Sequence, residues 1–318
     1  MNALVIVLSS QLLYYLLIAQ TGIVGAFDSQ LHDLFTLPVG GVAGALLAAF
    51  WRHGAIRQEL YFLFGMQAFL SWFYPDYSLG MLLVLGFVIG YTTPLLLHLF
   101  GSQSRLQLAS GLGIAYAVGT LLYTSPYAER DLTAVVLPLV SVSALRFARL
   151  PPLSSAKEGR FDWLGLGVMM MWIFADSALF ETLSRSGDMD IWGDYTLLIV
   201  ISHLLGIFLA YRYGGELVSQ TWIVGGLFAA SYLFYGLKEP IWLSVVYPVT
   251  ISYYNVLLFQ KLVGMKEVRN IALSMVGVGW IATSAAYAVA LGGALWIAGA
   301  TLGVFAMAFL WIKGRIGV

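Results

Sequence analysis

Residues 81–100 read Met-Leu-Leu-Val-Leu-Gly-Phe-Val-Ile-Gly-Tyr-Thr-Thr-Pro-Leu-Leu-Leu-His-Leu-Phe. The stretch contains no Asp, Glu, Lys or Arg. At ~1.5 Å per residue, a helix of this length reaches ~30 Å, the thickness of a bilayer's hydrocarbon core. It lacks the in-and-out alternation of apolar and polar residues that a lipid-facing barrel strand needs. Ile271–Leu291 has the same character. Helices and closed barrels are the structures that satisfy every backbone N–H and C=O in hydrocarbon. The stretch therefore reads as a membrane helix, and the fold class as all-α integral membrane.

The surrounding composition agrees. The chain is 60% hydrophobic and only 10% charged, with a mean hydropathy of +0.85. Soluble domains carry about a quarter charged residues, so the natural partner of this surface is a lipid bilayer. The formal net charge is zero, which gives no footprint for nucleic acid. Cysteine is absent, which excludes disulfides, thiolate metal sites and iron–sulfur ligation. The apolar run from Ala3 to Ala26 has no basic residue before it, the first being Arg52. It reads as an uncleaved first span, because a signal peptide wants a basic leader and a small-residue cleavage site.

Outward from residues 81–100, apolar segments recur along the whole chain. The expected spans are 2–24, 35–51, 60–74, 78–100, 107–125, 131–147, 163–183, 196–212, 217–237, 240–260, 271–291 and 293–312. The charges test this count. With the N-terminus inside, Arg52, Arg57, Arg105, Arg146, Arg149, Lys157, Arg160, Arg212, Lys261, Lys266, Arg269, Lys313 and Arg315 fall on the cytoplasmic side. Only Arg130, Arg185 and Lys238 fall outside. Thirteen of sixteen basic residues on one side is the positive-inside pattern. The acids lean the other way, with Asp28, Asp33, Asp76, Glu129, Asp131, Asp188, Asp190, Asp194 and Glu239 outside. A missed span would invert every later loop and scramble the segregation. The expectation is a cytoplasmic (inner) membrane of bacterial type, with both termini cytoplasmic.

The chain also repeats itself. Trp51-Arg52-His53-Gly54 follows the second span and Tyr211-Arg212-Tyr213-Gly214 the eighth, 160 residues apart. Leu95-Leu96-Leu97 and Val256-Leu257-Leu258 end the fourth and tenth spans comparably. A basic, proline-containing loop, Ala148 to Asp162, lies between the copies. The expected organisation is an N-terminal six-helix bundle over 1–147, a cytoplasmic linker over 148–162 and a C-terminal six-helix bundle over 163–318. Both halves start inside, so the repeats run parallel about an axis along the membrane normal.

On these residues and this topology the chain resembles the major facilitator superfamily of transporters. That family carries a Gly-x-x-x-Asp-Arg-x-Gly-Arg signature between helices 2 and 3, echoed between helices 8 and 9. Arg52, Gly54, Arg212 and Gly214 keep its Arg-x-Gly core, and the resemblance assigns them to gating loops. The Asp position is Trp51 and the next Arg is delayed to Arg57, so a charge that latches the halves in that family is missing. The rival architecture is a ten-helix transporter of the drug/metabolite type, and the charge segregation argues against it.

Ionisable side chains inside spans are functional candidates, because a charge there is costly. Asp176 lies about 13 residues, or ~20 Å, into the seventh span. A carboxyl at that depth suits a group that takes up and releases a proton. It equally suits a hydrogen bond to a neighbouring helix or a place in an outer vestibule. Glu181 is turned from it by about 140° and reads as an interfacial carboxylate. His203 sits mid-way along the eighth span, as a titrating group or as an interhelical donor. His98 lies near an inner helix end, His53 in a cytoplasmic loop and His32 outside.

The resembled family lines its cavity with helices 1, 4, 7 and 10. This implies a substrate and proton site built from Gln11, Tyr15, Tyr91, Thr92, Asp176, Tyr254 and Asn255, with His203 nearby. Tyr247 and Tyr254 are seven apart and share a face. The competing reading of this set is polar glue between helices. Met169-Met170-Met171 offers thioethers suited to Cu(I), but consecutive residues point about 100° apart and cannot converge on one ion. No Gly-x-x-x-x-Gly-Lys phosphate loop occurs; the glycines, Gly40, Gly41 and Gly44 among them, fit close helix packing.

The functional expectation is a secondary active transporter of a small solute, proton-coupled through Asp176, working as a monomer without a cofactor or a bound metal. The alternative is a non-transporting membrane subunit that keeps the fold. A copper-type importer and a membrane enzyme rank below both, since no catalytic constellation is visible.

Overall fold

The computed structural model describes residues 2–24, 35–51, 53–151, 161–186 and 189–316. Among them the chain is helical throughout, with thirteen helices when runs that pass through π-helical turns are counted as one. They are α1 (Ala3–Val24), α2 (Thr36–Phe50), α3 (Ile56–Ser71), α4 (Leu79–Phe100), α5 (Arg105–Tyr123), α6 (Asp131–Phe147) and α7 (Trp163–Ser186). After them come α8 (Ile191–Asp194), α9 (Thr196–Tyr213), α10 (Leu217–Gly236), α11 (Pro240–Gly264), α12 (Val268–Leu291) and α13 (Leu295–Ile316). Eight of these are long and apolar enough to cross a membrane: α1, α4, α5, α7, α9, α10, α11 and α12. Helix α2 and the stretch Leu295–Val304 of α13 are shorter apolar helices.

Local chemistry sets the helix ends. The Ser78 hydroxyl accepts from the Met81 N–H at the start of α4, and Ser104 forms a capping box with Gln107 at the start of α5. The Asp162 carboxylate accepts from the Gly165 N–H at 2.8 Å and starts α7. Helix α3 begins at Ile56 and ends at Ser71, earlier at both ends than the expected 60–74. The polar run Arg57-Gln58-Glu59 is helix-compatible, and Pro75 disfavours helix in the residue before it.

The chain divides into two compact units. The first holds residues 1–161 with 256–280, the second residues 162–255 with 281–318. In the first unit the most extensive packing is between α2 and α4. Their glycines face each other across two Gly-x-x-x-Gly pairs, Gly40/Gly44 and Gly86/Gly90. A Cβ built on Gly40 would lie 2.0 Å from the Leu83 carbonyl oxygen, and one on Gly44 2.1 Å from that of Phe87. The same test on Gly86 and Gly90 meets the carbonyls of Leu37 and Gly41 at 2.1 and 2.0 Å. The two backbones are thus in direct contact, which only glycine permits.

Arginines tie the first unit's helix ends. Arg57 donates to the carbonyls of Leu145 (2.9 Å) and Ala148 (2.7 Å), complementing the C-terminal dipole of α6. Arg130 is only 5% exposed. It donates to the carbonyls of Leu17, Tyr123 and Ser125 and to the Thr21 hydroxyl. Leu17 and Thr21 belong to the π-helical part of α1, Tyr15–Val24. A second π-helical stretch, Val276–Ala282, interrupts α12. The α11–α12 turn passes Lys266 at φ 60°, and His98 at the end of α4 donates from Nδ1 to the Lys266 carbonyl.

In the second unit α7 is central, packed by α10, α12 and α13. Small side chains allow this: Ala178, Ala286 and Ala298 meet, with Phe174 and Tyr232 against them.

Candidate functional site

Helix α7 carries Asp176 in the second unit, about 13 residues or ~20 Å from its start. The side chain is half-buried. Two tyrosines of α11 hold it. The Tyr247 hydroxyl donates to Oδ1 at 2.9 Å, and the Tyr254 hydroxyl donates to Oδ2 at 2.5 Å. Seven residues are two helical turns, so the two rings rise from one face of α11 and reach both oxygens. Tyr247 also lies 3.1 Å from the Asp176 carbonyl, and Tyr232 of α10 donates to the neighbouring Ala175 carbonyl at 2.8 Å. Hydrogen bonds to a charged acceptor contribute ~1.5–3 kcal/mol each, which offsets part of the cost of a carboxylate inside a span. Among the described residues Asp176 has no cationic partner.

Further aromatic side chains pack against these two tyrosines. Trp172, one turn before Asp176 on α7, approaches the Tyr254 ring at 6.4 Å between centroids. Phe228 of α10 lies 5.6 Å from Tyr254, and Trp192 of α8 lies edge-on to Tyr247 at 6.4 Å. The Trp172 indole N–H is buried without an acceptor.

The other expected residues have separate settings. His203 is buried, its Nδ1 against the Ser252 hydroxyl at 2.5 Å, and its ring also bonds the Pro248 carbonyl. It joins α9 to α11. The Asn255 amide donates to the Ile251 carbonyl of its own helix. In the first unit the Gln11 amide donates to the Ser141 hydroxyl, joining α1 to α6. Tyr15 is half-buried at the start of the π-helical stretch, and the buried Thr92 hydroxyl has no partner. Arg52 lies outside the described residues, as do His32 and residues 152–160 of the linker. Gly54 is exposed. Arg212 stacks over the Tyr213 ring at 5.4 Å, and the Gly214 N–H closes α9 on the Ala210 carbonyl. Met169 and Met171 are buried while Met170 is half-buried, as expected for residues that point apart.

Two clusters bring in residues beyond the expected set, one of them around Tyr91, which the sequence placed with Asp176. In the first unit the Tyr91 hydroxyl donates to Glu59 Oε2 at 3.1 Å, and the same oxygen is 2.8 Å from His53 Nδ1. The other His53 nitrogen faces the Ala48 carbonyl at 2.9 Å. Glu59 follows from no sequence motif, because three separate segments bring these residues together. In the second unit Glu181 is 3% exposed. Arg185 approaches it at 3.4 Å, donates to the Tyr287 hydroxyl at 3.0 Å and stacks on that ring. The four-residue spacing of Glu181 and Arg185 was the readable signal.

No family model matches the chain, and no curated protein does. Solved structures do. The chain is similar to a D-xylose–proton symporter, at 12% identity and a TM-score of 0.58, over 97% of this chain and 96% of that one. It is also similar to a double tryptophan variant of XylE, at 15% identity and a TM-score of 0.55, over 97% and 94%. The chain shares its fold with these two structures. At these identities the likeness concerns the path of the chain, end to end. Connections between its helices are short, 214–216 and 265–267 being only three residues long.

Proposed function

We propose that this chain is a secondary active transporter that moves a small solute across a membrane, coupled to protons through Asp176. The observation that carries the reading is an acid inside a spanning helix. It is half-buried, held by two tyrosine hydroxyls and without a cationic partner among the described residues. A structural carboxylate in a membrane is ordinarily paired, as Glu181 is with Arg185. An unpaired one is free to exchange its proton when the transport cycle brings water to it. One solved protein of this fold is a proton symporter, which supports the same reading.

The proposed topology is twelve spans in two bundles, residues 1–147 and 163–318, with both termini and the linker 148–162 cytoplasmic. Cysteines at Ser155 and Ser186 will label from opposite sides of the membrane; labelling of both from one side refutes this arrangement. For function, purified protein in proteoliposomes is screened with a panel of radiolabelled small solutes under an imposed pH gradient. At least one solute accumulates with wild-type protein, and Asp176→Asn abolishes gradient-driven accumulation while remaining folded and inserted. Normal uptake by the Asn variant removes Asp176 from the mechanism. No accumulation of any solute favours a non-transporting subunit.

A further inference from the structure

The turn between α2 and α3 contains a contact that closes only with an added proton. Both ring nitrogens of His53 face acceptors. Nε2 lies 2.9 Å from the Ala48 carbonyl, and Nδ1 lies 2.8 Å from Glu59 Oε2. A carbonyl oxygen only accepts, so Nε2 carries a hydrogen. A neutral ring then has a bare lone pair at Nδ1, and the contact with Glu59 needs one more proton between them. The Tyr91 hydroxyl donates to the same Oε2 at 3.1 Å, and a second donor on one oxygen favours the ionised carboxyl. The Ala48 carbonyl lies in the last turn of α2, where the helix dipole favours a cation. The extra proton therefore rests on the imidazole.

Water has little access to replace it. The His53 side chain is 6% exposed and that of Glu59 20%, and the Tyr91 ring packs edge-on to the imidazole at 5.9 Å. The other charged groups of the neighbouring elements have partners of their own. Arg57 of α3 donates to the carbonyls of Leu145 and Ala148, and Arg269 of α12 lies over the Phe50 ring. His98 of α4 is close enough for its charge to act on His53, and it is bonded to the Lys266 carbonyl.

We infer that His53 and Glu59 form a proton-binding site in the first unit, one that ties the α2–α3 turn to α4 while the proton is bound and releases the turn when it leaves. Loss of the proton leaves Nδ1 and Oε2 as two acceptors 2.8 Å apart, a contact that repels. Asp176 belongs to the second unit and takes no part.

The test uses the full-length protein in lipid bilayers and needs no solute. Isotope-labelled histidine is read by magic-angle-spinning NMR, and the His53 signal among the four histidines is the one lost in His53→Gln. A spin label on Ala55→Cys reports the turn, at an exposed position in a chain that has no other cysteine. At about pH 5 both His53 nitrogens carry protons. As pH is raised, Nδ1 gives up its proton and the label gains mobility at the same midpoint. In Glu59→Gln the amide can turn either its oxygen or an N–H to the ring, so the contact survives in both protonation states and label mobility no longer changes with pH. His53→Gln loses the change as well. A bare Nδ1 at about pH 5 overturns the inference, as does a label that stays still while the ring titrates. A mobility change that persists in His53→Gln belongs to another group, His98 foremost, and overturns it too. The two readings on the unsubstituted pair stand even if either Gln variant fails to fold.

Discussion

Replacing Gly44 with alanine adds one methyl group where the backbones of α2 and α4 touch. The new Cβ would stand 2.1 Å from the Phe87 carbonyl oxygen and 2.8 Å from the Tyr91 N–H nitrogen. Ordinary contact begins near 3.4 Å. Both obstacles are backbone, so no side chain can rotate away, and the axes of α2 and α4 must part by about 1.3 Å locally. A gap of ~0.5–1 Å already forfeits a quarter to a half of each contact's dispersion energy, and this pair is the most extensively packed in the unit. The expected loss is about 3 kcal/mol, the upper end of the range for overpacking. Gly65 of α3 provides the internal control, since nothing lies within 4 Å of a Cβ built there. Gly65→Ala gains up to about 1 kcal/mol from helix propensity alone. The assay is the fraction of protein eluting as a monodisperse peak after graded heating in detergent, with both variants measured beside wild type. Gly44→Ala shifts the midpoint down and Gly65→Ala leaves it level or raises it. Equal behaviour of the two variants would refute the backbone-contact account.

Three further outcomes follow from other features. Arg130→Met keeps the aliphatic stem but strands acceptors of α1, of the end of α5 and of the turn before α6, and costs at least about 3 kcal/mol by the same heating assay. His203→Leu removes the bond to Ser252 and lowers stability by about 1 kcal/mol; solute movement persists, and its loss at unchanged stability would make the ring functional. Burial pushes the Tyr77 hydroxyl up to about 12 from an ordinary 10. The folded state therefore holds a proton that the unfolded chain releases, so stability falls as pH rises from 10 towards 12, and Tyr77→Phe flattens that part of the profile.

Composition alone carried the helical class, because a 60% apolar chain has few ways to satisfy its backbone in lipid. Asp176 was visible for the same reason: a charge in an apolar run stands out whatever surrounds it. Its tyrosines were half visible, since a seven-residue spacing reveals a shared face but not the helix it meets. Tyr91 and His53 were named separately, but their meeting at Glu59 was not visible. Glu59 sits three residues into α3, where a sequence reading places the edge of the membrane, and only the approach of α4 gives it a partner. The covering of Glu181 was hidden for a related reason. Depth along a helix says nothing of whether a neighbour covers the side chain, and α12 brings Tyr287 over its partner Arg185. The π-helical stretches left no mark in hydropathy, because they alter hydrogen-bond register and not side-chain polarity.

Those stretches have a mechanical consequence. Helices α2 and α4 touch backbone to backbone along two glycine pairs and behave as a stiff beam, with little room to slide or hinge. Helices α1 and α12 each pass through a π-helical segment, Tyr15–Val24 and Val276–Ala282, whose wider turns have weaker axial bonding. Bending compliance is concentrated there. A load on the molecule, such as lateral pressure from a thicker bilayer, deforms those two segments first and leaves the glycine-sealed pair unbent.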